Sequence, residues 1–188
     1  MYKKSLFVLS FFAILLLINC GGSQTVNKLD ESEMPDWVEN PPSDPNYIFE
    51  VGTSISKDLQ QSITNSQQVA SITIARKLET KYQGMYKRFS EEVGLADESK
   101  YIQQITDVFK AVTSTTLIGC AEVKKKVLKE GNGYRTYVLM QYPIGAASQA
   151  FMKQISKQDE LYTRFRASQT FKELDDEIKK YEEWKKNQ

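Results

Sequence analysis

Thr113 to Pro143 reads TSTTLIGCAEVKKKVLKE, then GNG, then YRTYVLMQYP. Gly131-Asn132-Gly133 separates two runs rich in β-branched and aromatic residues, which is a hairpin signal: tight turns need left-handed backbone, and Gly and Asn adopt it cheaply. Thr113–Glu130 is long enough for one extended arm, and Tyr134–Tyr142 is the returning strand. Val138, Leu139 and Met140 stand in a row, so the in-out alternation is lost there. Both faces of that strand should be covered, which places it at the centre of its sheet. Pro143 ends it.

Upstream, Tyr47-Ile48-Phe49-Glu50-Val51-Gly52 follows a Ser-Asp-Pro-Asn turn cluster and reads as the first strand. Asp58 with Gln61 forms a capping box, which opens a long helix. Leu59, Ile63, Ala70, Ile74, Leu78, Met85 and Phe89 line one face of it to about residue 90, and Gly94 suits its end. Asp97 or Ser99 starts a second helix, with Tyr101, Ile105, Val108, Phe109 and Val112 at helical spacing. The expected class is α+β: a small, mostly antiparallel sheet of about three strands in β-α-α-β-β order, covered by helices.

From about Ser148 the chain reads as helix. Phe151, Ile155, Tyr162 and Phe165 form one stripe, and Thr170 with Glu173 offers a second capping box. Residues 159–188 hold eight acids and seven bases, interleaved, as on a solvated amphipathic helix. Phe171, Leu174, Ile178, Tyr181 and Trp184 form its apolar side. They are the candidate interaction surface of a helical extension over 146–188, which either packs back on the domain or enters a partner's groove.

The first residues supply an address. Lys3 and Lys4 precede an apolar core from Leu6 to Ile18 that is shorter than the ~20 residues a bilayer span takes, and is the length of a signal-peptide core. It ends Leu17-Ile18-Asn19-Cys20-Gly21-Gly22. This resembles a bacterial lipoprotein signal, with cleavage between Asn19 and Cys20, although the position before the cysteine is usually a smaller residue than Asn19. The resemblance implies a diacylglycerol thioether and an amide-linked acyl chain on Cys20, and no other cofactor. Each buried CH₂ contributes ~0.8 kcal/mol, so two or three chains hold a protein on a membrane essentially permanently. Gly21 in place of Asp favours the outer over the inner membrane. Removing residues 1–19 takes two lysines and no acid, and the net charge moves from +1 to −1. Residues 20–34 then form anchor and tether, and 35–145 the domain. The prolines around Trp37 (Pro35, Pro41, Pro42) favour extended backbone, with Trp37 docking the chain onto the fold.

The chain has no histidine, which excludes His-based nucleophile pairs and imidazole bases. The near-zero charge argues against a nucleic-acid partner. A glycosidase would need two carboxyls flanking a cleft, and Asp36 with Glu39, or Glu91 with Glu92, lacks a context that raises one pKa. Asp175-Asp176-Glu177 lacks the glycine and spacing of a calcium loop. Ser54-Ile55-Ser56-Lys57 matches a Ser-x-x-Lys string too short to specify a nucleophile. With Cys20 acylated, Cys120 is left as the one thiol, read as a small buried residue or an intermolecular disulfide partner. Lys124, Lys125, Lys126 and Lys129 form a basic run, diluted by Glu122 and Glu130, that reads as protection of a sheet edge or as a dock for an acidic polymer or headgroup.

The strings PDWVENPP, YIFEVGTS, Ala75-Arg76-Lys77-Leu78, LIGCAEV and YRTYVL, in this order, resemble the Lpp-twenty-type lipoproteins, a bacterial family named for a twenty-kilodalton outer-membrane antigen. The N-terminal domain of flagellar assembly protein T is similar. The resemblance covers roughly residues 35–145 and implies a lipid-held α+β domain without enzymatic activity. Trp37, Gly52, Gly119 and Tyr137 match the family's pattern as structural positions. The expectation is therefore a non-catalytic envelope lipoprotein, anchored through Cys20, that binds an envelope protein or itself. Peptidoglycan binding or activation of a wall enzyme is the alternative, and carriage of a small lipid a third.

Overall fold

The computed structural model describes residues 33–95 and 99–187. Asn19, Cys20, the signal over 1–19 and nearly all of the 20–34 tether lie outside the described residues, as does Asp97. The elements run α1 (Asp36–Glu39), β1 (Tyr47–Ser56), α2 (Leu59–Val93), α3 (Ser99–Gly119), β2 (Ala121–Glu130), β3 (Gly133–Pro143), α4 (Ile144–Ile155), α5 (Asp159–Arg166) and α6 (Gln169–Lys186). The three strands form an antiparallel sheet in the order β1-β3-β2, with β3 central.

The hairpin turns on Gly131 and Asn132, with Glu130 opposite Gly133 and Gly131 at φ +57°. Register then sorts the side chains. Val51 lies opposite Leu139 and Gly52 opposite Val138, so Gly52, Thr136, Val138, Met140 and Tyr142 share one face. α2 packs on that face. Tyr137 and Leu139 point the other way and are also buried, which is why apolar residues run without alternation along β3. α1 contacts β3, and Trp37 within it is half-buried.

α2 is 35 residues, about 52 Å at 1.5 Å per residue. Asp58 Oδ1 accepts from the Gln61 backbone N–H at 2.7 Å. The reciprocal half of the expected box is absent, because the Gln61 amide donates to Asn65 and the Asp58 N–H donates to Ser56 Oγ. Gly94, at φ +73°, ends the helix, and Leu95 beyond it donates to the Ser90 carbonyl and is buried. The first half of the helix rests on the sheet through small residues: Ser62, Ser66 and Ala70 are fully buried. Ser62 Oγ lies 2.8 Å from Thr136 Oγ1, and Ser66 Oγ donates to the Thr136 carbonyl at 3.0 Å. The second half carries Ile74, Leu78, Tyr82, Met85 and Phe89 into the main core, where Tyr82 stacks on Phe151 at 4.9 Å.

Four local expectations change. The run Thr113–Gly119 is helix rather than strand, and β2 starts at Ala121. Thr115 and Thr116 hydroxyls donate to the Ala111 and Val112 carbonyls one turn back, so their polar groups are satisfied inside the helix. Asp36–Glu39 is a single helical turn rather than extended chain, because Pro35 stands at its N-cap, where a missing N–H is harmless. Ser168, not Thr170, caps α6 by accepting from the Phe171 N–H at 3.1 Å. Helix begins at Ile144, directly after β3, and breaks twice before Gln169.

The region beyond 145 shares one core with the rest. Ala147, Phe151, Ile155, Leu161, Phe165 and Leu174 belong to the same buried cluster as α2, α3 and β3. Phe165 meets Phe89 edge-on at 5.2 Å, and Phe171 meets Phe165 at 5.5 Å.

Candidate interaction surface

Of the two placements open to the apolar side of α6, the structure shows the first: these side chains face the protein's own domain. Leu174 is 2% exposed, and Phe171, Ile178, Tyr181 and Trp184 are half-buried. Tyr181 stacks on Trp184 at 5.7 Å, and Trp184 meets Tyr47 of β1 edge-on at 5.5 Å. Polar groups fix the same helix. Lys81 Nζ donates to both Glu177 oxygens at 2.6 and 2.8 Å, Ser148 also bonds Glu177, and Tyr82 Oη lies 3.0 Å from Ser148 Oγ. Burial pushes the Tyr82 phenol far above its ordinary value, so it stays protonated and needs this partner.

Glu92 holds the start of α6: it accepts from Thr170 Oγ1 at 2.7 Å and from the Gln169 N–H at 2.8 Å. The Thr170 hydroxyl first, with the two backbone N–H groups, holds the Glu92 carboxyl below the usual range. The carboxylate is thus spent on a helix N-terminus, where its charge meets the positive end of the helix dipole. In the Ser54–Lys57 string, Ser56 Oγ accepts from Asp58 N–H and Lys57 is exposed.

An open surface lies at the opposite edge of the sheet. Among the described residues β2 pairs with β3 alone. Ala121 to Lys126 and Lys129 are exposed, Val127, Leu128 and Glu130 half-exposed. A bulge at Val123 interrupts the ladder between Glu122 and Lys124, and pairing is regular from Lys124 to Glu130. Lys125 and Lys129 point to the α2 side, Lys124 and Lys126 to the other. Both acids of the strand are engaged: Glu122 pairs with Lys125 at 3.0 Å and accepts from Gln67 at 2.9 Å, and Glu130 takes a two-pronged bond from Arg135 at 2.5 and 2.9 Å. Arg135 holds the Glu130 carboxyl below its ordinary value. Lys124, Lys126 and Lys129 have no ion pair among the described residues.

Beneath the start of β2, on the α2 side, is a cleft of about 680 Å³. Gln67, Gln68, Ser71 and Ile72 of α2 form one wall, Leu117 and Cys120 the end, and Glu122 and Met140 the roof. Cys120 is a free, half-buried thiol; burial raises its pKa, against a smaller lowering by the Ser71 bond, so it is protonated at neutral pH. Ile72, Leu117, Val123 and Ile118 are exposed apolar side chains, Ile118 by 86%. A second open groove, about 650 Å³, runs between α2 and α3 past Tyr86, Ile102 and Phe109 and shares Leu117 with the first. Gln67, Gln68, Ser71 and Ile72 escape a sequence reading because they flank the apolar face of α2. The adjacent exposed pair Leu117-Ile118 was the available signal. No family model, curated protein or solved structure matches the chain.

Proposed function

We propose that the protein is a non-catalytic lipoprotein of the bacterial cell envelope, anchored through Cys20 and acting as a protein-interaction module. The observation that carries this reading is the contrast between its two ends. The apolar side of α6 is consumed within the domain, whereas the β2 edge and its cleft present backbone, lysines and apolar side chains to solvent. Leu17 to Cys20 and the resemblance to Lpp-twenty-type lipoproteins supply the address. The test is palmitate labelling of wild type and Cys20→Ala, followed by crosslinked capture from envelope fractions. Label on wild type only, with a specific protein crosslinked, is expected. Label on Cys20→Ala would end the anchor reading, and cosedimentation with purified sacculi without a crosslinked protein would replace the module by the wall-binding alternative.

A further inference from the structure

We propose that the outer edge of β2 accepts an extended acidic peptide from a partner protein as a fourth strand, with the cleft beneath β2 taking one of its apolar side chains. This rests on the interaction-module reading and names the partner's chemistry. A strand that pairs on one side leaves alternate N–H and C=O groups on the other, and an added strand satisfies them at little cost to itself. Among the described residues β2 packs closely on β3, and α2 reaches it through the Gln67 bond to Glu122, upstream of the Lys124–Glu130 ladder. The regular ladder from Lys124 to Glu130 gives seven residues for pairing.

Charge selects the occupant. Lysines on a sheet edge repel neutral and basic strands, because strand addition would desolvate them or set like charges together. An acidic strand reverses the sign of both effects. Lys124 and Lys126 lie on one face of the sheet and Lys125 and Lys129 on the other, so a strand with acids on both faces meets a lysine on each. Glu130 does not cancel this charge, since Arg135 already holds it; Glu122 offsets Lys125, which leaves Lys129 on the α2 face and Lys124 and Lys126 on the other without an ion pair among the described residues. A second copy of the chain is a poor occupant, because antiparallel β2 pairing would set lysine against lysine. A membrane surface meets one face of a sheet edge, and these lysines occupy two.

The experiment uses the full-length protein in non-ionic micelles and fluorescein-labelled peptides repeating Glu-Glu-Val-Val, which puts acids on both faces of a strand and Val N–H groups on both edges, read by fluorescence anisotropy. The acidic peptide should bind, and combining Lys124→Gln, Lys125→Gln, Lys126→Gln and Lys129→Gln should weaken it by about tenfold or more. These lysines are solvent-exposed, and unchanged circular dichroism confirms that the variant folds. N-methylation at every Val should also weaken binding by about tenfold, because it removes strand hydrogen bonds while keeping the charge. Bound peptide should slow alkylation of Cys120 by iodoacetamide. Equal binding of the N-methylated peptide, or stronger binding to phosphatidylglycerol vesicles than to the peptide, would overturn strand addition. An unchanged Cys120 rate would overturn the role of the cleft. Mass analysis of Cys20 in the same sample reads the anchor separately, so its failure and that of the peptide site are distinguishable.

Discussion

The position a Cβ would take on Gly52 lies 1.9 Å from the carbonyl oxygen of Ser66. Strand β1 and helix α2 therefore meet backbone to backbone, and Ser62, Ser66 and Ala70 are small because nothing larger fits between helix and sheet. Gly52→Ala should force the two apart and lower unfolding free energy by about 3 kcal/mol, as overpacking against backbone does. Urea unfolding measures it, and a loss below about 1 kcal/mol would show that α2 can slide.

Tyr82 and Ser148 give a second test. Ser148→Ala strands a buried phenol hydroxyl and should cost about 2 kcal/mol. Adding Tyr82→Phe removes the stranded group and should recover part of the loss. A double-mutant cycle with no coupling would mean that the hydroxyl finds another partner.

Glu92 predicts a pH dependence. Its folded pKa is lowered from 4.5, so its contribution is present above the unfolded value and is lost as pH falls through the folded one. Wild type should be more stable than Glu92→Gln at neutral pH, and the difference should shrink below about pH 4.5. Urea midpoints of both proteins across that range check this. A difference that stays constant in acid would remove the carboxylate from the account of how α6 is held.

Leu174→Ala should cost about 3 kcal/mol, since its side chain is 2% exposed within the core. Ile118→Ala, at a residue 86% exposed, should change stability by less than about 0.5 kcal/mol. Thermal melts of the two variants side by side check the contrast. A neutral Leu174→Ala would mean that α6 is not part of the core.

The hairpin was legible because glycine marks the turn, where Gly131 adopts left-handed backbone, and β3 because Val138-Leu139-Met140 leaves no solvent face. The long helix was legible from Ala70, Ile74, Leu78, Met85 and Phe89, which are buried as the spacing requires. Leu59 was misplaced and Ser62 and Ser66 were missed for one reason: hydropathy rewards apolar side chains, whereas a close helix-sheet approach selects for volume. Thr113–Gly119 misled because β-branching is a weak bias that packing of Val112 and Thr116 overrides. The cleft was illegible because its walls come from three separate stretches of chain, and the lysine run was legible only as charge until its place at an edge was known.

The clamp between Lys81 and Glu177 joins residues 96 apart in sequence, with Ser148 and Tyr82 between them. A chain emerging N-terminus first cannot finish its core until Lys186 is free. Until then Phe89, Phe151 and Phe165 lack the cover that α6 supplies through Phe171 and Leu174. The same closure that makes the folded protein stable delays its completion until the last helix has been made.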